Sequence, residues 1–83
     1  MIIKLVFNDS IDKIGDWKQS PIFHLIDMNT VKGRKEGFKL KSHWGAKLNP
    51  FAIVYQDDIP VKAFYSESGK DVLDELLTYL QTI

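Results

Sequence analysis

A nearly unbroken apolar run, Phe51–Tyr55, constrains the fold more than any other feature of this sequence. A run of this length without polar interruption predicts a strand that is covered on both faces, as strands inside a sheet are. Asn49 and Pro50 precede the run, and proline fits there because it opens the strand instead of interrupting its hydrogen-bond ladder. We therefore expect residues 51–55 to form a central strand of a sheet.

Two earlier segments predict further strands. Ile2–Phe7 is apolar and β-branched, and it stops at a cluster of turn-forming residues. Ile22–Ile26 is almost continuously apolar, which predicts a strand buried on both faces, as parallel strands are. Between them, Asp9–Gln19 carries three apolar residues spaced three apart, which fits a short helix or an irregular loop, since Gly15 weakens a helix.

The segments on either side of the central run predict a helix and a hairpin. Arg34–Trp44 has weak helical periodicity after a connection over residues 27–33, and Gly45 is placed to end the helix in a left-handed turn. Gln56–Pro60 predicts a short turn, and Val61–Tyr65 predicts the second strand of the hairpin, at or near a sheet edge.

The C-terminal segment has the clearest pattern. Ser68 is placed to cap a helix, with Asp71 three residues later in a capping-box arrangement. The apolar stripe has the spacing of a helix that lies on a sheet, and its members are Val72, Leu73, Leu76, Leu77, Leu80 and Ile83. The whole order predicts an α/β domain with a parallel crossover in its first half and an antiparallel hairpin in its second.

Length and composition limit the classes of protein to consider. Eighty-three residues predict a single domain over 1–83, and a 45% hydrophobic share predicts that it folds. The chain has no cysteine, which excludes thiol–disulfide exchange and a thiol nucleophile of its own. Since no apolar stretch has membrane-spanning or signal-peptide length, we expect a cytoplasmic protein without a membrane partner.

The layout from Lys35 to Ile83 resembles the thioredoxin-like fold of thioredoxins and glutaredoxins. A helix ending near Gly45 leads to Asn49-Pro50, a central strand, a turn at Asp57-Asp58, a second strand and a final amphipathic helix. The resemblance implies a four-stranded mixed sheet with flanking helices and a cis peptide bond before Pro50.

The resemblance also implies what this chain lacks. In the family, a Cys-x-x-Cys motif follows the first strand, and at the matching place this chain has residues 8–13, which contain no thiol. We therefore expect a redox-inactive domain, not an enzyme and without a cofactor, that binds a protein or peptide or serves as an assembly module. The residues expected to bind are Asn49, Pro50, Ser10 and Asp12, with Trp44 and the basic helix as a second contact surface.

An alternative hypothesis is glutathione binding. Glu67 and Ser68 look like the pair by which glutathione transferase N-terminal domains hold the glutamyl end of glutathione, and a helix N-terminus favours a carboxylate there. The simpler interpretation is that Ser68 caps the helix without any ligand.

A further alternative is nucleic-acid binding through the basic segment 32–47. Its cations are Lys32, Arg34, Lys35, Lys39, Lys41 and Lys47. The formal net charge of the chain is zero and the segment has a single Arg, both of which argue against a phosphate-backbone footprint.

No residue set has the spacing of a catalytic or metal site. His24 and His43 are far apart in sequence and have no carboxylate constellation beside them. Asp57 and Asp58 are adjacent acids, but in a hairpin turn they are more simply turn formers that tolerate unusual backbone angles.

Overall fold

The computed structural model describes residues 1–65 and 71–83, and its centre is one four-stranded mixed sheet. The strands are β1 (Ile2–Phe7), β2 (Phe23–Asp27), β3 (Phe51–Gln56) and β4 (Ile59–Phe64). Their order is β2-β1-β3-β4, with β1 parallel to β2 and antiparallel to β3, and β3 antiparallel to β4. The α/β class and the mixed sheet are thus confirmed.

β3 is the interior strand that its apolar sequence predicts. Phe51, Ala52, Ile53 and Val54 are all fully buried. Because side chains alternate along a strand, Phe51 and Ile53 lie on one face of the sheet and Ala52 and Val54 on the other. Elements packed on both faces explain the lack of a polar alternation in this segment.

β2 differs from its prediction, because it is an edge strand and is not buried on both faces. Ile26 is its only buried residue, and His24 is exposed. Phe23 and Leu25 are half-buried against the main core, and the Phe23 ring lies 6.1 Å from that of Trp17. The apolar run of β2 is therefore explained by packing against the main core and the segment that contains Trp17, and an edge strand can make these contacts.

The helix α1 (Val31–Trp44) begins three residues before the predicted start. Thr30 caps it, with a side-chain oxygen that accepts a hydrogen bond from Gly33 N at 2.9 Å. Gly33 and Gly37 are buried because the helix lies close to the sheet at these points. Gly45 ends the helix in the left-handed conformation, with φ 69°, as predicted.

The segment before β2 is helical, in an irregular form. A 3₁₀ segment spans Asp12–Gln19 and is broken at Gly15, where φ is 60° and ψ is −132°. Ile11 and Ile14 anchor it in the core, while Trp17 stays 36% exposed. A glycine at the break is required because the positive φ disfavours other residues.

The hairpin turn is tighter than predicted. Asp57 and Asp58 alone form it, with φ of 52° and 65°, so that Ile59 and Pro60 already belong to β4. The interpretation of the two aspartates as turn formers is confirmed, as is the edge position of β4.

The last helix, α2 (Val72–Leu80), is capped by Asp71. Its side chain accepts hydrogen bonds from Leu73 N at 3.0 Å and Asp74 N at 3.3 Å. The predicted cap, Ser68, lies outside the described residues. The predicted stripe is buried at Val72, Leu73, Leu76 and Leu80, whereas Ile83 is 62% exposed because the helix ends at Leu80.

The two faces of the sheet carry different elements. The α2 face, defined by α2 and the 3₁₀ segment, holds a core that includes Ile3, Leu5 and Leu76. The α1 face, defined by α1, holds a smaller core around Val6, Phe51 and Ile53. With a radius of gyration of 11.8 Å, the chain is one compact unit.

Within residues 1–65 and 71–83, no helix is both long and apolar enough to cross a membrane.

Candidate binding sites

The sheet places the predicted proline step beside the end of β1. Val6 pairs with Phe51, so Pro50 and Asn49 continue past this pair at the end of the sheet where β1 gives way to residues 8–13. The peptide bond between Asn49 and Pro50 is cis, the isomer that the resemblance implies. The structure thus brings together the two segments that the sequence singled out.

Asn49 has an unusual environment. The residue as a whole is half-buried, and its side-chain Oδ1 is buried with no hydrogen-bond partner in the part of the chain that the structure describes. A buried acceptor of this kind costs about 1–3 kcal/mol when it is left unpaired. Because the oxygen is buried, a donor from outside reaches it only when the half-buried Asn49 side chain turns outward, and this turn frees the oxygen to accept a hydrogen bond.

Ser10 and Asp12 are exposed at the same end of β1 but are held by local contacts. The Ser10 hydroxyl accepts a hydrogen bond from Asp12 N at 3.2 Å. The Asp12 carboxylate lies 2.6 Å from Lys18 Nζ, and the hydrogen bond from Lys18 lowers the pKa of Asp12 below its usual range. Asp12 is therefore an ion-pair partner of Lys18, although its side chain stays 82% exposed.

A second ion-pair cluster joins the 3₁₀ segment to α2. The Lys13 ammonium binds the Asp71 carboxylate and lies 3.1 Å from Asp74 Oδ1. The hydrogen bond to Asp71 raises the pKa of Lys13, and the same contact lowers the pKa of Asp71. These contacts connect two elements of the α2 face.

Trp44 belongs partly to the core. It is half-buried against the apolar cluster of the α1 face, and its ring meets that of His43 edge-on at 5.4 Å. Only part of its surface is open to a partner, so the predicted contact surface depends mainly on the neighbouring cations.

The predicted basic surface divides into two groups. Lys32, Lys35 and Lys39 line a cavity of about 790 Å³ on the α1 face, together with Glu36 and Leu40. Arg34 and Lys41 are not among its lining residues, and Lys41 is half-buried.

Lys4 and His24 complete the lining of this cavity. Both lie on strands and outside the basic segment. They are partners in the parallel pairing of β1 with β2, so they lie side by side on neighbouring strands. Lys4 is visible in the sequence as the one charged residue in an otherwise apolar strand, but its proximity to α1 follows only from the fold.

We call this the lysine groove: the cavity lined by Lys4, His24, Lys32, Lys35, Glu36, Lys39 and Leu40. A smaller cavity of about 270 Å³ shares His24, Lys32 and Glu36 with it. His24 Nε2 lies 3.0 Å from Glu36 Oε1, which links β2 to α1 across the groove.

No group of three His, Asp or Glu side chains that could hold a metal occurs in the described ranges 1–65 and 71–83. Glu67 and Ser68, on which glutathione binding depends, lie outside these ranges, so that alternative stays a prediction. Comparison with protein-family models, with curated proteins and with solved structures gives no match to this chain.

Proposed function

We propose that this protein is a redox-inactive, thioredoxin-like domain that binds a protein or peptide without covalent chemistry. Three features support the thioredoxin-like assignment: the strand order β2-β1-β3-β4, the parallel pairing of β1 with β2, and the proline step that opens β3. The distribution of helices over both faces of the sheet supports it as well.

The observation that carries the proposed function is the buried, unpaired Oδ1 of Asn49 at the sheet end beside β1. An extended peptide offers a row of backbone N–H donors, and one of them can pair with this oxygen. Binding then satisfies an acceptor that is otherwise buried without a partner, which favours the complex.

The chemistry of the same sheet end argues for binding and against catalysis. The chain has no cysteine, so no thiolate stands where the family carries its reactive pair. The Ser10 hydroxyl accepts a hydrogen bond from a backbone N–H, and the nearby Asp12 is engaged by Lys18.

The test is a selection of peptides from a random library on the immobilised protein, followed by mapping of each binder by amide chemical shifts. We expect the shifts to concentrate at residues 8–10 and 49–51. Asn49→Ala should weaken binding at least fivefold, because it removes the acceptor.

Ser42→Ala is the matched control, since Ser42 is exposed on α1 and lies outside this sheet end. Binders that shift other residues, or that bind Asn49→Ala as tightly as the native protein, contradict the proposal.

A further inference from the structure

The α1 face of the sheet is only partly covered. α1 lies close to the sheet at Gly37, where an added Cβ would meet Val6 and Met28. Lys4 lies two residues before Val6 on the same face of β1, and it is half-buried beside the lysine groove. A single helix of 14 residues therefore leaves the start of β1 and β2 open on this face.

The lysine groove concentrates positive charge in a protein whose formal net charge is zero. Four lysines line it, and Glu36 is its one carboxylate, held at 3.0 Å by His24. In the ion pairs of residues 1–65 and 71–83, none of the four lysines has a carboxylate partner. Four lysines against one carboxylate thus leave the lining with an excess of positive charge.

This arrangement works against folding stability. Lys35 and Lys39 are four residues apart on α1, and like charges at that spacing destabilise a helix. Lys4 interrupts an apolar strand, with its ammonium 5.1 Å from the centre of the Tyr55 ring. Cations placed in this way, with a single carboxylate among them, are explained by an anionic ligand.

The geometry points to the lysine groove as a docking site for an acidic peptide segment, with carboxylate side chains on Lys4, Lys32, Lys35 and Lys39. Lys32 to Lys39 covers seven residues of helix, or about 10 Å along its axis. In an extended peptide, alternate side chains are spaced about 7 Å apart, so two carboxylates fit this length.

The lining of the groove favours a peptide over a nucleic acid. It contains no Phe, Tyr or Trp on which a base could stack, its His24 is held by Glu36, and Arg34, the sole arginine of the chain, does not line it. Leu40 and the aliphatic stems of the lysines supply apolar contact for small side chains between the acidic ones. Ammonium groups bind single carboxylates as point charges and need no bidentate geometry.

The site is separate from the sheet end at Asn49, so the inference does not depend on the proposed function. The experiment uses the whole chain and a fluorescent acidic peptide of about eight residues in which Glu alternates with Ala. A peptide with Gln in place of every Glu and a single-stranded DNA oligonucleotide are the comparison ligands.

We expect the acidic peptide to bind at low salt and the Gln peptide not to bind. Binding should weaken on going to about 0.3 M salt, where exposed charges are screened. Lys32→Gln, Lys35→Gln and Lys39→Gln together should weaken it at least tenfold, and Lys4→Gln alone about threefold to tenfold.

The matched control combines Lys41→Gln, Lys47→Gln and Lys62→Gln, which removes the same three charges from residues that do not line the groove. It should bind the acidic peptide within about twofold of the native protein. Asn49→Ala should bind the acidic peptide normally. It should lose the peptides selected from the random library if the proposed function holds.

Several outcomes overturn the inference. They are the absence of binding, equal losses in the two triple variants, and tighter binding of DNA through the same lysines. Self-association that Lys4→Gln abolishes also overturns it, because the occupant is then a second copy of the chain. Thermal unfolding of each variant shows that it is folded, which is expected since the three helix lysines are exposed.

Discussion

The two faces of the sheet use their charged residues in opposite ways. On the α2 face, Lys13 binds Asp71 and Asp74, and Lys18 binds Asp12, so cations and acids are paired between or within the covering elements. On the α1 face, four lysines surround a groove that holds one carboxylate, Glu36. The first arrangement supports the fold, and the second leaves charge available to a ligand.

The two apolar cores also differ, both in size and in how many elements cover them. The core of the α2 face includes Ile3, Leu5 and Leu76, all fully buried, and two elements cover it. On the α1 face one helix covers a smaller core, and Leu40 is half-buried beside the groove. The α2 face thus holds the larger and better covered core, while the α1 face leaves a groove accessible to a ligand.

The largest expected effect tests this difference in the cores. Leu76→Ala removes a fully buried side chain and should lower the free energy of unfolding by about 2–5 kcal/mol. Leu40→Ala, beside the groove, should cost less than half as much, because water already reaches that side chain. Urea unfolding measures both, and equal losses contradict the division of the two faces.

The next effect concerns how closely α1 lies on the sheet. A Cβ at Gly33 would overlap the backbone carbonyl of Asp27, and one at Gly37 would overlap the Met28 sulfur, which a side-chain rotation can move. Gly33→Ala should therefore destabilise by about 1–3 kcal/mol or more.

Gly37→Ala should cost clearly less than Gly33→Ala, because the flexible Met28 side chain can move away whereas the Asp27 carbonyl belongs to the backbone. Urea unfolding of the two variants gives the comparison. If Gly37→Ala is the more costly, the closest approach of α1 is not at Asp27, the end of β2.

Sequence alone was sufficient for the elements whose patterns are local. The apolar run of β3, the stripe of α2 and the left-handed Gly45 depend on neighbours within a few positions, and all three were predicted correctly. The start of α1 was missed because Thr30 was included in a connection, although a Thr three residues before Gly33 is an ordinary cap.

The candidate sites were predictable only in part. Lys32, Lys35 and Lys39 stand in the basic segment, but Lys4 and His24 join them through the pairing of β1 with β2, which lies about 20 residues apart in the chain. The edge position of β2 could not be predicted either. Packing of one face of an edge strand, together with contact to a neighbouring 3₁₀ segment, produces the same apolar run as burial of both faces.

A smaller effect is expected at Asp71, which both caps α2 and binds Lys13. Asp71→Ala removes both interactions and should lower the melting temperature by about 4–8 °C, the size of a typical cap in a domain of this length. Asp71→Asn keeps a capping oxygen and removes only the ion pair, so its loss should be smaller.

The pH dependence of the same residue has a definite sign. Because Lys13 lowers the pKa of Asp71 in the folded state, the stabilisation from this pair is present above its ordinary pKa of 3.8 and is lost as the pH falls through the lower, folded value. The difference in melting temperature between the native protein and Asp71→Asn should therefore shrink below about pH 4. A difference that grows in acid contradicts the ion-pair assignment.

The smallest effect has the opposite sign and is the most specific to the lysine groove. Lys35→Gln removes a like charge that lies three residues from Lys32 and four residues from Lys39, and it should raise the free energy of unfolding by roughly 0.2–0.5 kcal/mol. Lys18→Gln, on the α2 face, should lower it, because Lys18 is bound to Asp12. Urea unfolding at low salt measures both signs, and adding salt should bring both values towards zero. If both substitutions destabilise, the charges of the groove are already balanced in the free protein, and its affinity for an acidic segment must have another source.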